Sequence, residues 1–293
     1  MNTTLLEQYH KNFQANPSLT NWADIFSLCT WDKIGFCRFQ ANFNLHENTV
    51  TQGLIYEFWL LAASRKFPVQ IYQARNEKVN GNDIEIAIQT RNGYLLFPCQ
   101  AKIVNKRGRY STLNHKVGGK DQIDLLLDYG RKVRGIPIYF FYNFGDNPPQ
   151  NQAIEKKRNI PIESLGCSIV LAQFIKQNFS RTTTRRWSIP DFYKIHHLLA
   201  IPFSNLFKLI NSTSIPGLDL AGFSLGAQFY SEEELSEEAI WRDLAPPTAI
   251  GRIDPLRSYP LDVAQSDSEG PAFAPAFRIL FPLERRTTTL YHN

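Results

Sequence analysis

Residues 80–102, NGNDIEIAIQTRNGYLLFPCQAK, constrain the fold of this chain more than any other stretch. Asn92-Gly93 lies between two apolar runs, and Asn-Gly in that setting is the strongest short-range hairpin signal. Side chains alternate across a strand. Asp83 and Glu85 therefore share one face and Ile84, Ile86 and Ile88 the other. On the second strand Gln100 and Lys102 share a face, opposite Cys99, Ala101 and Ile103. If the two polar faces coincide, two carboxylates, an amide and an ammonium meet at the end of a hairpin. Such groups are expensive to hold beside an apolar sheet, so the pattern asks for a chemical reason.

Composition sets the bounds. At 293 residues and 43% hydrophobic, the chain can bury a core for one large domain or two small ones. A net charge of +5 and a pI near 8.9 admit a polyanionic partner. Cys29, Cys37, Cys99 and Cys167 form no CxxC pair, and no histidine stands at finger spacing, which argues against structural zinc and for a reducing compartment. The N-terminus lacks a basic segment followed by an apolar one, and no apolar run reaches the roughly 20 residues of a membrane span. The expectation is a soluble, cytoplasmic protein with no membrane partner.

Along the chain, Leu5, Tyr9 and Phe13 mark a short helix stopped at Asn16-Pro17, and a second helical stretch is expected near 21–29. The segment 49–66 is a strongly apolar helix with Leu54, Phe58, Leu61 and Ala62 at helical spacing, and Glu57 is its only acid. Residues 67–75 read as a strand, followed by the hairpin and a basic, Gly-containing loop over 105–120. DQIDLLLDYGRKV at 121–133 is an amphipathic helix, and IPIYFFYNF is a strand apolar enough to be buried on both faces. Residues 147–149 read as loop, and SLGCSIVLAQFIKQNF runs from strand to helix. The order predicts an α/β fold, with a central mixed sheet flanked by helices, and right-handed crossovers joining parallel neighbours after Lys102. The division expected is a core over 1–180 and a helical and irregular accessory region over 181–293. In that region Ser231 begins a capped helix, with Glu234 three residues on.

Asp83, Gln100 and Lys102 suit metal-assisted phosphodiester hydrolysis. A hard divalent cation takes oxygen ligands, which Asp83, the Gln100 amide and the backbone carbonyl of Ala101 supply. Lys102 can orient a water or stabilise charge on the phosphorus centre. Gly81-x-Asp83, a second strand ending Gln100-Ala101-Lys102, and a preceding helix with Glu57 together resemble the PD-(D/E)XK nuclease superfamily, in the Gln-x-Lys variant of its Mrr-type branch. The resemblance covers roughly residues 45–180. It implies a restriction-endonuclease-like core, a Mg²⁺ or Mn²⁺ cofactor, Glu57 completing the metal site, and Gln122 as active-site support. Asn82 stands where the family has Pro, and Gln100 where it usually has an acid, so Glu57 or Glu85 would have to make up the missing charge. The expected ligands are thus Asp83, Gln100, Ala101, Glu57 and Glu85. Lys106, Arg107, Arg109, Lys116 and Lys120 would hold the phosphate backbone, with Tyr110 either stacking on a base or packing inward.

The function this implies is endonucleolytic cleavage of nucleic acid, DNA ahead of RNA, in restriction or defence, as a homodimer or within a larger complex. Two other classes remain open. One is a non-catalytic nucleic-acid-binding protein with a degenerate site. The other is a hydrolase using Ser224 in GFSLG at 222–226, a GxSxG match without the required strand-turn-helix context. His196 and His197 are adjacent, which does not suit metal ligation, and read as packing or surface residues. Arg181, Arg185, Arg186 and Trp187 read as a solvated linker.

Overall fold

The computed structural model describes residues 3–41, 43–64, 66–74, 83–179, 188–211, 227–236, 241–243 and 275–283. The N-terminal part is helical: α1 (Thr3–Ala15), α2 (Leu19–Phe39) and α3 (Glu47–Ala63). Then come β1 (Gln70–Ala74), β2 (Asp83–Thr90), β3 (Gly93–Ile103), the short pair β4 (Lys116–Val117) and β5 (Lys120–Asp121), and α4 (Gln122–Lys132). They are followed by β6 (Ile138–Tyr142), α5 (Pro148–Arg158), β7 (Cys167–Leu171), α6 (Ala172–Phe179), α7 (Phe192–Leu198) and β8 (Ile201–Pro202). The last elements are β9 (Phe229–Tyr230), α8 (Glu232–Ser236), β10 (Trp241–Asp243) and β11 (Phe277–Phe281).

The expected architecture is present: an α/β fold with one mixed sheet flanked by helices. Its path among the described residues is β10-β1-β11-β2-β3-β6-β7-β8, with β9 paired to β3. β3 and β6 are parallel and joined through α4, but β6 and β7 are antiparallel, so the crossover pattern holds for the first step only. β6 and β7 are buried along their whole length, as their continuous apolar runs require. Ile84, Ile86 and Ile88 face the main core with Leu54 and Phe58 of α3, while Ala87, Leu96 and Tyr94 form a second apolar cluster with Leu280 and Leu235.

Three differences from the sequence reading have physical causes. The helix over 148–158 was hidden by Asn-Pro-Pro, yet those residues start it: the Asn147 side chain accepts from Gln150 N, with proline in the first turn. The hairpin turn lies one residue earlier than expected. Thr90 pairs with Gly93, leaving Arg91 and Asn92 as the loop, and Gly93 takes φ +122 where an added Cβ would meet Tyr230 O at 2.8 Å. Third, the region beyond 180 contributes β8, β9, β10 and β11 to the same sheet as the core. β11 inserts between β1 and β2, parallel to β2. The capped helix at Ser231 is present, with Glu234 N donating to Ser231 Oγ and Ser231 N to Glu234 Oε2, though it is only α8. Ser224, Arg181, Arg185, Arg186 and Trp187 lie outside the described residues. No helix among the described residues is long and apolar enough to cross a membrane.

Two buried polar clusters fasten the fold. Arg278 of β11 donates Nε to Glu85 Oε2 at 2.7 Å and Nη1 to Leu235 O at 2.8 Å, while Tyr129 OH of α4 donates to Glu85 Oε1 at 3.1 Å. Glu85 therefore links the C-terminal strand, α8 and α4. In the second cluster Ser168 Oγ lies 2.7 Å from His196 Nε2, and His196 Nδ1 lies 2.8 Å from Phe192 O. A carbonyl can only accept, so Nδ1 carries the proton and Nε2 accepts from Ser168. Asn143 completes the cluster, donating to Leu165 O at 2.6 Å and accepting from Tyr110 OH. His196 is thus a packing residue, and His197 is exposed.

Arg278→Ala strands the buried Glu85 carboxylate and is expected to cost about 3–5 kcal/mol of unfolding free energy. Replacing Glu85 and Arg278 together by leucines should cost far less. Equal losses for single and double variants in denaturant titrations would refute this account of the pair. Full burial pushes the His196 pKa down to about 3, against 6.5 for the free side chain. Between those values the unfolded chain binds a proton that the folded one does not, so stability is intact above pH 6.5 and falls as pH drops. The slope from this group is at most about 1.4 kcal/mol per pH unit. The stability difference between wild type and His196→Gln should shrink from pH 7 to pH 5; a constant difference contradicts the assignment.

Candidate functional site

β3 carries its polar pair into a buried place. Gln100 is 1% exposed and Lys102 3% exposed. A buried ammonium is costly unless it is hydrogen-bonded and charge-compensated. Lys102 Nζ donates to Gln122 Oε1 at 3.0 Å and lies 3.9 Å from Glu47 Oε1. Both partners stand in the first turn of a helix, Glu47 in α3 and Gln122 in α4. Acids are favoured there because the helix dipole is positive at its N-terminus. Described carboxylates stand at both helix starts: Glu47 in the first turn of α3, and Asp121 at the N-cap and Asp124 in the first turn of α4.

The hairpin brings Asp83 to this place through its backbone. Asp83 is the register partner of Gln100, and directly opposed positions of an antiparallel pair share a face. The polar faces inferred from sequence therefore coincide, as positions on the sheet. Among the described residues, β3 has no strand partner on the β2 side beyond Gln100, so Ala101 and Lys102 pair with β6 alone. Gln100 Oε1 is buried and has no hydrogen-bond partner among the described residues. An orphaned buried carbonyl oxygen is destabilising by about 1–3 kcal/mol, and a bound cation would satisfy it.

Glu57, expected to complete the metal site, is not brought there. It lies ten positions beyond Glu47 on α3, about 15 Å along the axis, half-buried and near Cys29 of α2, whose thiol pKa is raised chiefly by burial, then by Asp32, with Glu57 adding less. Glu47 takes the place expected of it. Glu85, expected as a further ligand, is held by Arg278 and Tyr129 instead. Gln122 stands beside Lys102 and accepts its hydrogen bond. Glu47 was missed because it precedes the apolar run and so reads as a solvated helix start; an acid in the first turn of an apolar helix was the available signal. Among the described residues no group of three or more His, Cys, Asp or Glu is placed to hold a metal ion. The oxygen donors that remain, Glu47, the Gln100 amide, the Ala101 carbonyl and the Asp83 position, suit a hard cation such as Mg²⁺ rather than zinc.

The basic loop follows directly. Lys106, Arg107, Arg109, Lys116 and Lys120 are all exposed, with Lys116 Nζ 3.9 Å from Asp121 Oδ1. The loop is ordered by the Asn105 side chain, whose Oδ1 accepts from Arg107 N at 2.9 Å and Arg109 N at 3.0 Å. β4 and β5 form a hairpin that turns at Gly118 and Gly119, both at positive φ. Tyr110 is buried and bonded to Asn143, so it packs inward and does not offer a stacking surface. Tyr110 N donates to Pro190 O, and Phe192 N to Gly108 O, so chain beyond residue 180 braces the loop.

No curated protein and no solved structure matches the chain. One family model does, over residues 20–264, a span containing Glu47, Asp83, Gln100, Lys102 and Gln122. The chain belongs to that family, the family of unknown function DUF6615.

Proposed function

We propose that this protein is a metal-dependent nuclease with a restriction-endonuclease-like core, hydrolysing phosphodiester bonds in DNA. The observation that carries the reading is the buried Lys102 ammonium, held between Gln122 and Glu47 beside the unpartnered Gln100 carbonyl. Asp83, Gln100, the Ala101 carbonyl and Glu47 would hold a Mg²⁺ or Mn²⁺ ion. Such a cation supplies a lowered water pKa and a polarised phosphoryl oxygen. Lys102 does the rest from a fixed position. Gln122 Oε1 accepts a hydrogen bond from one of its N–H groups, leaving the others to orient the attacking water or to meet negative charge on the phosphoryl oxygens. The exposed cations of the loop after β3 hold the strand by its phosphates. A role in restriction or defence, and assembly into a homodimer or larger complex in the cytoplasm, rest on the family resemblance. The second reading, a nucleic-acid-binding protein without turnover, is favoured by one observation: Gln100 gives the site one carboxylate fewer.

Purified protein is expected to cut DNA with Mg²⁺ or Mn²⁺ and not with EDTA, and to prefer DNA to RNA of the same sequence. Asp83→Ala and Lys102→Ala should each lower the rate at least about 100-fold. Glu47→Ala should lower it strongly, and Glu57→Ala should leave it nearly unchanged. Undiminished cleavage by Asp83→Ala and Lys102→Ala sinks the assignment; salt-dependent binding with no cleavage under any metal supports the binding protein. Gln100→Glu adds a buried carboxylate where a cation would sit. It should lower the melting temperature in EDTA, restore it with Mg²⁺, and reduce the Mg²⁺ needed for half-maximal rate. A melting temperature indifferent to Mg²⁺ in that variant argues against a metal at Gln100.

A further inference from the structure

We infer that the cavity between the end of α2, the entry to α3 and the chain leaving β3 receives a second phosphodiester of the substrate strand, next to the one presented to Lys102, with its base against Phe43. This rests on the nuclease reading of the Lys102 site. The cavity is about 240 Å³, and its walls include Arg38, Phe43, Asn44, His46, Asn105 and Lys106, with no Asp or Glu among the described residues. It adjoins the candidate site along the chain at both ends. His46 immediately precedes Glu47, and residues 103–106 of its wall immediately follow Lys102.

Arg38 is the central feature. Its Nη2 donates to Val104 O at 2.8 Å and Asn105 O at 2.5 Å, which fixes the guanidinium against the end of β3. Its Nη1 is buried with no hydrogen-bond partner among the described residues, and no described carboxylate lies within ion-pair distance of it. The guanidinium carbon sits 5.7 Å from the centre of the Phe144 ring. Asp146 is the acid whose charge reaches it, from further off, and burial weakens its hold on the proton without discharging it. A half-desolvated cation with neutral partners is the arrangement that an incoming anion completes. Asn105 is also in the wall; its Oδ1 is committed to the loop amides, so the group its side chain could offer a ligand is the Nδ2 donor.

The rim supplies the other half of nucleotide chemistry. Phe43, in the cavity wall, is 48% exposed, a large aromatic left in solvent beside a cationic cavity. A phosphate-holding groove edged with aromatic faces is how proteins track a single strand without reading its sequence. Lys106, the first exposed cation of the loop after β3, lies in the cavity wall, so a strand drawn through the cavity continues onto that loop.

Two titrations of the full chain test this. In the first, inorganic phosphate is added without divalent metal while the His46 ring signals are followed by NMR. Wild type should show a saturable shift that Arg38→Gln lacks. In the second, DNA binding in EDTA is measured between 50 and 200 mM salt. Arg38→Gln should reduce the slope of log K against log salt by about one. Phe43→Ala should weaken binding roughly tenfold at unchanged slope. An unchanged slope in folded Arg38→Gln, or no phosphate shift in wild type, overturns the inference even if DNA is cut normally. A lost slope unit in a protein that never cuts DNA upholds the subsite and rejects the nuclease reading. Should Arg38→Gln fail to fold, unchanged binding by Phe43→Ala or a flat phosphate titration still overturns it.

Discussion

Pairing Asp83 with Gln100, and not with a neighbour, decides which side chains of β3 reach the helices that begin at Glu47 and Gln122. A slip of one residue would turn Cys99 and Ala101 toward those helices and drive Lys102 into the main core. Three separate features resist that slip. Gly93 fixes the turn by adopting φ +122 under the Tyr230 carbonyl. The isoleucines of β2 face the apolar core in strict alternation. Glu85, two residues from Asp83, is tied from both sides by Arg278 and Tyr129.

The third feature explains why the C-terminal chain belongs to the site's support. β11 is inserted between β1 and β2, and the register places Arg278 directly beside Glu85. A buried carboxylate in β2 would be untenable without that arginine, and Arg278 is the last described charge to enter the sheet in chain order. Chain beyond residue 180 also braces the basic loop through Pro190 and Phe192. The site is thus assembled from local hairpin geometry and completed by distant segments.

Much of this was legible in the sequence, wherever the physics was local. The hairpin, the amphipathic α4, the continuous apolar β6 and the strand-to-helix passage at β7 and α6 each follow from periodicity and turn chemistry. That Gln100 and Lys102 share a face with Asp83 was readable from alternation. What stayed hidden was non-local. FRILF carries an arginine in mid-strand, which makes sense only beside Glu85, and nothing near it in the chain says so. Glu85 looked like a metal ligand because alternation puts it on the polar face, and only the distant strand shows what neutralises it. Glu57 stood out for its apolar neighbours, but helix position mattered more: the carboxylate beside Lys102 is the one at the start of α3, where the chain turns toward the sheet end.

The central claim is that Gln100, Glu47 and the Asp83 position form a cation site beside Lys102. The most direct measurement is a crystal structure with Mn²⁺, read by the anomalous signal of the metal. The account places one peak within coordinating distance, about 2.0–2.6 Å, of the Gln100 side-chain oxygen, with an Asp83 or Glu47 carboxylate oxygen as a second ligand. No peak there at saturating Mn²⁺, or a peak held elsewhere while Gln100 Oε1 stays uncoordinated, contradicts it.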